Sequence, residues 1–378
     1  MKIVANRSDW LAAISKCSGL IERRNTIPIL DNIRIEAKAD TVTLTATNLD
    51  QMAVATFPAQ IEKAGLSTVS GLRLQSIIQN APEGCQVSME VADGVSHCSF
   101  GRSKFKLNTL PADDFPVFKE IEKPLKFSLR CSDLLKALTT VASAQCEEQS
   151  RYYLCGVCVS AAAGTPLGGA GGLRFVATNG HIALYAALPL PEGAAELERC
   201  TLPGPAIAHL IKILGDQKGA EEVQIGASQA RWSFEFPALI YQTKTIDGSF
   251  PDADRIVPTS NETTVIVNAP ALAAALRRAV LVSTDKTRSV TIDMNEDRMM
   301  IICQSDTGER SEEEIPCAFA GEPMRVGANV RYVSDMLVLQ DKEEIQLSFR
   351  QSTDPVLIRG HANEGDQFGV LMPIRISS

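Results

Sequence analysis

The sequence predicts an α+β protein made of three copies of one unit, each with two helices packed on antiparallel sheets. Three observations carry this. A helix-initiating segment recurs with a period near 130 residues, a second helical segment follows each of them, and short runs of alternating polarity fill the intervals. At 378 residues the chain also exceeds one ordinary core and suits units of about 100 to 150 residues.

The first copy opens with NRSDWLAAI (Asn6 to Ile14), the second with RCSDLLKAL (Arg130 to Leu138) and the third with NAPALAAAL (Asn268 to Leu276). Ser8 and Ser132 are placed to cap, Pro270 suits a first turn, and apolar residues follow at spacings of three and four. The second helices are expected over Val69 to Gln79, Leu202 to Leu214 and Val326 to Gln340. Half-buried strands are expected at Thr41 to Ala46, Gln86 to Val91, Glu222 to Ile225, Ser289 to Met294 and Glu344 to Phe349. Phe115-Pro116 and Phe250-Pro251 close extended runs and lead into linkers, which sets domains at 1–122, 126–252 and 253–378. The glycine-rich stretch Gly164 to Gly172 reads as a flexible loop inserted in the second copy.

Composition narrows the function. The chain is 45% hydrophobic and 22% charged, as in a folded globular protein. Its longest apolar runs fall well short of the roughly 20 residues that span a bilayer, and the N-terminus lacks the apolar core of an export signal. A cytoplasmic protein without membrane contact is expected, its ten cysteines being reduced thiols and mostly small core residues.

No motif rises to catalysis. Cys155 and Cys158 have the spacing of a redox or zinc pair, but no second ligand pair exists, and Leu154 to Ser160 reads as a strand rather than a helix start. The Gly164 to Gly172 stretch lacks the GK[ST] ending of a phosphate loop. His181, in ATNGH, has no nucleophile motif beside it. A binding protein with no metal and no cofactor is therefore expected, not an enzyme. The net charge of -8 opposes nucleic-acid binding unless charge is segregated, and it is: the six helical segments sum to a positive charge while the remainder is strongly acidic. Arg23, Arg24, Arg73, Arg277, Arg278, Lys286 and Arg288 supply much of that basic character. Tyr152-Tyr153 beside Arg151 suits either the start of a strand or stacking on nucleic acid.

Six stretches, in order, resemble hallmark segments of the bacterial beta sliding clamps, the processivity subunits of replicative DNA polymerases. They are TIPILDNI (Thr26 to Ile33), FKLNTLPADDFP (Phe105 to Pro116), RYYLCG (Arg151 to Gly156), ATNGH (Ala177 to His181), IDGSFPD (Ile246 to Asp252) and LMPIR (Leu371 to Arg375). The resemblance covers the whole chain. It implies the DNA clamp fold, in a head-to-tail homodimer whose six domains close a ring around double-stranded DNA. Helices would line the hole, and contact would be to phosphates rather than bases. Partners implied are the polymerase catalytic subunit, the clamp loader and other proteins that carry a short clamp-binding peptide.

The resemblance also implies site residues. The peptide pocket would comprise Leu154, Thr178, Gly180, His181, Pro251, Arg255, Ile256, Val370, Met372, Pro373, Ile374 and Arg375. DNA would be touched by Arg24, Arg73, Tyr152 and Tyr153, and the dimer interface would use exposed apolar surface on Leu74, Ile78, Phe105 and Leu107 facing Leu272. Ile182-Ala183 depart from the Arg-Leu that the family usually places after Gly-His, which implies a rim with less charge and an altered peptide preference. A thiol enzyme built on Cys155 and Cys158 would instead need an exposed, fast-reacting thiol, and a pure protein scaffold would not be retained on circular DNA.

Overall fold

The computed structural model of the chain describes residues 1–21, 26–216, 221–283, 288–340, 342–361 and 366–375. Six α-helices occur among them: α1 (Arg7–Ser18), α2 (Gly71–Gln79), α3 (Cys131–Val141), α4 (Gly204–Asp216), α5 (Ala269–Ala279) and α6 (Val330–Met336). The chain divides into two compact units, Met1–Cys131 with Lys212–Thr245, and Ser132–Ile211 with Ile246–Ser378.

In the first unit an antiparallel five-stranded sheet runs in the order Gln60–Lys63, Lys2–Asn6, Gln86–Ala92, Val95–Phe100 and Ser103–Asn108. An eight-stranded sheet begins with Leu125–Arg130, Glu222–Ala227, Arg231–Phe236 and Leu239–Lys244. It continues without a break through Gln51–Pro58, Thr41–Thr47, Asn32–Lys38 and Gly65–Ser70. The join is a true ladder, with Tyr241 opposite Ala53 and Thr243 opposite Gln51. α1 turns Trp10, Ile14 and Cys17 inward, and Trp10 meets Phe57 at 4.9 Å between ring centroids. Arg7 donates through Nε and Nη2 to the carbonyls of Ile78 and Gln79, at 3.1 and 2.9 Å. A cation there satisfies orphan carbonyls at the end of α2 and complements its dipole.

The second unit holds one twelve-stranded sheet. Its first half orders Cys200–Pro203, Gly156–Gly164, Ala170–Thr178, Ile182–Pro189, Gln367–Leu371 and Val356–Gly360; its second half orders Glu344–Phe349, Thr263–Asn268, Arg310–Ala320, Arg298–Gln304, Ser289–Asn295 and Met324–Asn329. Here too the last strand of one copy extends the sheet of the copy before it, with Gly369 opposite Leu184. Leu272, Ala275, Leu276 and Ala279 of α5 are buried, and the helix packs on Arg310–Ala320. Alternating burial along Ser289–Asn295 and Gln86–Ala92 follows from side chains that point to opposite faces.

Several expectations change. The N-cap position of the first helix is Asn6 rather than Ser8, with no side-chain cap bond, and α3 begins at Cys131, so Ser132 lies inside its first turn. In the third copy Asn268 caps, its side chain accepting from the Ala271 amide at 2.9 Å, with Pro270 in the first turn. The second helices start two to four residues late, at Gly71, Gly204 and Val330. The residues just before them are the ends of strands, because an apolar run entering a helix has no period of its own. Tyr152 and Tyr153 lie in a 3₁₀ turn (Gln149–Leu154), and the strand begins only at Gly156.

The glycine-rich stretch is not a loose loop. Ladder pairing reaches Gly164 opposite Ala170, and Thr165 Oγ1 accepts from the Gly169 amide at 2.7 Å to close the turn. Glycine is needed for closeness rather than freedom: a Cβ on Gly172 would lie 2.2 Å from the Leu188 carbonyl oxygen. The join within the first unit rests partly on the buried Tyr241 hydroxyl, which donates to Gln51 Oε1 at 2.7 Å. Tyr241→Phe is therefore expected to cost about 1 to 3 kcal/mol, since Gln51 is left buried without its donor. Urea unfolding monitored by far-UV circular dichroism measures it.

Candidate functional site

The join between Ile182–Pro189 and Gln367–Leu371 organises the second unit's most distinctive surface. Thr178 Oγ1 donates to the Ile182 carbonyl at 2.7 Å and accepts from the Gly180 amide at 3.1 Å. Asn179 Oδ1 accepts from the amides of His181 and Ile182 at 2.9 and 3.0 Å, as an Asx turn does. Gly180 sits at φ +89°, and any Cβ there would come within 2.9 Å of an Arg151 nitrogen that donates to the Asn179 carbonyl at 2.8 Å. The ATNGH stretch is thus a rigid turn that pushes His181 outward.

The C-terminal stretch is tied to the same turn. The Met372 amide donates to the His181 carbonyl at 2.9 Å, and the Ile374 amide donates to the Gly327 carbonyl at 2.9 Å. Leu154 and Val370 belong to one apolar cluster with Val176, Ala183, Tyr185 and Phe368. Tyr185 stacks on Phe368 at 4.4 Å, and its hydroxyl donates to the Ala253 carbonyl at 2.6 Å. Burial pushes that phenol well above its ordinary range, so it stays a neutral donor. Ala253 and Val257 join the cluster, which fixes the turn Ala253–Ile256 beside it. Arg174, 8% exposed, holds the same turn through Asp254, its Nη1 lying 2.9 Å from each carboxylate oxygen.

Among the predicted pocket residues, Leu154, Thr178 and Val370 form a buried floor. Met372, Ile374 and Ile256 are exposed apolar side chains, at 39, 36 and 41%. Gly180, His181, Pro251, Arg255 and Arg375 are exposed and Pro373 half-buried, with Arg255 bonded to Asp252 at 3.1 Å. Ile182 and Ala183 are buried at 1 and 0%, so the departure from Arg-Leu adds core packing at the strand join rather than merely stripping charge from a rim.

Sequence reasoning missed Tyr332. Its ring stacks on His181 at 5.5 Å and 17°, and the neighbouring Arg331 pairs with Glu147 at 2.6 Å. Together with Arg151 and Asn179 they wall a cavity of about 190 Å³. Nothing in the sequence marked Tyr332, which reads as an ordinary residue of a short helix. A second cavity, about 650 Å³, gathers Arg277, Arg288 and Arg331 beside Tyr332. Arg278 is instead engaged by Glu313 at 2.9 Å.

Of the predicted DNA contacts, Arg73 is exposed on α2 and Tyr152 is 52% exposed, while Tyr153 is half-buried and meets Tyr152 edge-on at 5.8 Å. Arg24 lies outside the described residues, as do Arg23 and Lys286. The residues assigned to the dimer interface are less exposed than expected. Leu74, Ile78 and Leu272 are at most 1% exposed and Leu107 is 7%, so these apolar groups are already used in the chain's own cores. Only Phe105 is half-buried, leaning on Phe100 at 5.5 Å.

Cys158 is buried, and its thiol is pushed up to about 12 by desolvation, which gives no support to a nucleophilic role. Among the described residues no cluster of three or more His, Cys, Asp or Glu side chains is arranged to hold a metal ion.

Comparison with known proteins agrees with this organisation. Family models of the DNA polymerase III beta subunit match in sequence order: the N-terminal domain at residues 1–119, the central domain at 128–252 and the C-terminal domain at 254–375. The beta sliding clamp of Caulobacter vibrioides is 31% identical over 378 residues, with full coverage of both chains. That of Escherichia coli is 27% identical over 377 residues, again with full coverage. The crystal structure of a sliding clamp from Bartonella birtlesii bound to griselimycin superposes with a TM-score of 0.95 at 29% identity, covering 100% of each chain. One from Caulobacter crescentus gives 0.93 at 31%, also at full coverage of each. The chain belongs to the bacterial beta sliding clamps, the non-catalytic DNA polymerase III subunits that close as dimeric rings on duplex DNA and tether the polymerase and other replication proteins to it.

Proposed function

We propose that the surface around the 182–189 and 367–371 strands is the docking pocket for the linear peptides of clamp partners. The observation that carries this reading is the backbone bond from Met372 to His181, which sets an exposed methionine beside the ATNGH turn. Leu154, Thr178 and Val370 form the floor, Met372, Ile374 and Ile256 the adaptable apolar wall, and His181, Arg255 and Arg375 the polar rim, with Gly180, Pro251 and Pro373 shaping the backbone. Tyr332 extends the wall by holding the His181 ring. A linear peptide loses chain entropy on docking, so its affinity is modest and rests on a few anchors.

The ring closes, on this reading, through strand edges. Two joins between copies are made inside the chain, at 239–243 with 51–55 and at 367–371 with 182–186. Among the described residues the remaining equivalent edges are Ser103–Asn108 and the 310–316 half of Arg310–Ala320, each paired on one side only. Carrying the register across the ladders, Phe105 takes the place of Tyr241 and Ser311 that of Ala53. Lys104 then faces Glu312 of the partner subunit. Leu74, Ile78, Leu107 and Leu272 are buried in the chain's own cores behind the interface, and Phe105 supplies the apolar contact.

DNA contact is assigned to Arg24, Arg73, Tyr152 and Tyr153, with the Arg277, Arg288 and Arg331 cavity as a further basic element. The repeats are taken as domains 1–122, 126–252 and 253–378, and the site of action as the cytoplasm. Among the described residues no helix is long and apolar enough to cross a membrane.

Three measurements test these assignments. Met372→Ala is expected to weaken a labelled polymerase-derived peptide by about 1 to 3 kcal/mol, the scale of an interface anchor, with dimer mass unchanged. Equal affinities in a fluorescence titration would place the peptide elsewhere. Lys104→Glu should weaken the dimer by about 1 kcal/mol per interface, and adding Glu312→Lys should restore it, read by sedimentation at falling concentration. Equilibrium binding to a short linear duplex, from which a ring can slide off, should fall with salt, the slope of log K being about -2 to -4 and shallower in the Arg73→Ala, Tyr152→Ala double variant.

A further inference from the structure

We propose that Cys146 and Cys155 are a redox-active dithiol that closes to a disulfide across the segment Glu147 to Leu154. The Cys146 amide donates to the Leu154 carbonyl at 3.1 Å, which places the backbones of residues 146 and 155 at neighbouring positions, a condition for bridging without rearrangement. Both sulfurs converge on one atom: the Glu148 carbonyl oxygen lies 3.9 Å from Cys146 Sγ and 3.4 Å from Cys155 Sγ. The chain returns on itself between them through the 3₁₀ turn Gln149–Leu154, kinked at Arg151.

Their surroundings give the two thiols different tasks. Cys146 is 5% exposed, whereas Cys155 is only half-buried and is the one an oxidant reaches. The Arg151 guanidinium, fixed by Glu148 and by the Asn179 carbonyl, lies close enough to the Cys155 sulfur to favour its thiolate in part. Burial, and then the adjoining Cys146 sulfur, hold the Cys155 thiol above its ordinary value. The reaction is therefore slow at neutral pH and quickens as pH rises and the thiolate fraction grows.

With a peroxide as oxidant the step balances. The Cys155 thiolate attacks one peroxide oxygen; an S–O bond forms, the O–O bond breaks, and the departing hydroxide takes a proton to leave as water. Cys146 then attacks the resulting sulfenic sulfur; the S–S bond forms, the S–O bond breaks, and the second hydroxide leaves with the Cys146 proton as water. Two thiols lose two electrons and one peroxide becomes two waters. A small thiol reverses the bridge by exchange. Closure fixes the segment that presents Tyr152 and Tyr153 and ends at Leu154. The inference stands on the thiols' own geometry and does not depend on the peptide reading.

The test treats the full-length protein with hydrogen peroxide at pH 8, quenches with catalase, blocks free thiols with N-ethylmaleimide and maps a non-reducing digest by mass spectrometry. The expected product joins the Cys146 and Cys155 peptides with the loss of two hydrogens, and dithiothreitol undoes it. In Cys146→Ser no bridge forms, and the Cys155 sulfenic acid persists long enough to be trapped by dimedone. The proposal is overturned if the treated native protein carries oxidised Cys155 beside alkylated Cys146, or links Cys155 between molecules. Mapping of the native protein decides the matter even if a variant folds poorly.

Discussion

A β-sheet edge is a row of unpaired backbone donors and acceptors, and the arrangement of this chain follows from how it disposes of them. Two of the three copies each give their last strand to the sheet of the copy before. The joins run at 239–243 with 51–55 and at 367–371 with 182–186. Covering an edge removes the hazard of unspecific pairing and makes a directional, register-fixed joint. Among the described residues one edge equivalent to each side of these joins is left over, which fits a family that closes as a two-subunit ring.

The candidate pocket depends on the second of these joints. Met372 is presented because the strand before it is locked into the ladder and the His181 carbonyl continues that ladder by one bond. The Asx turn at Asn179 and the positive φ of Gly180 keep His181 out of the sheet. Tyr185 and Arg174 fasten the Ala253–Ile256 turn alongside through Ala253 and Asp254. The buried part of the candidate site is structural, and only a few of its apolar groups, Met372, Ile374 and Ile256, stay exposed.

Much of this was legible in the sequence. The threefold repeat, the helix that heads each copy and the alternating strands could be read from periodicity alone, and ATNGH and LMPIR drew attention to one surface. What could not be read depended on tertiary context. The starts of α2, α4 and α6 were hidden because a buried strand end and a helix start share apolar character. Leu74, Ile78 and Leu272 looked available for an interface because a sequence does not say which apolar side chain its own core consumes. Tyr332 carried no signal at all, since its role exists only once α6 stands beside His181. The stretch Gly164 to Gly172 reads as slack in the sequence because glycine marks both freedom and close approach.

That last stretch has a consequence for how this protein and its relatives can differ in length. Because its two sides are ladder-paired up to Gly164 and Ala170 and closed by the Thr165 hydroxyl, residues are accommodated there in pairs, one on each side. Paired additions keep every side chain on its face, whereas a single addition must be absorbed by a bulge or would turn one strand over. Length variation at this tip is thus expected to run in even steps, with odd steps marking chains whose turn has been rebuilt.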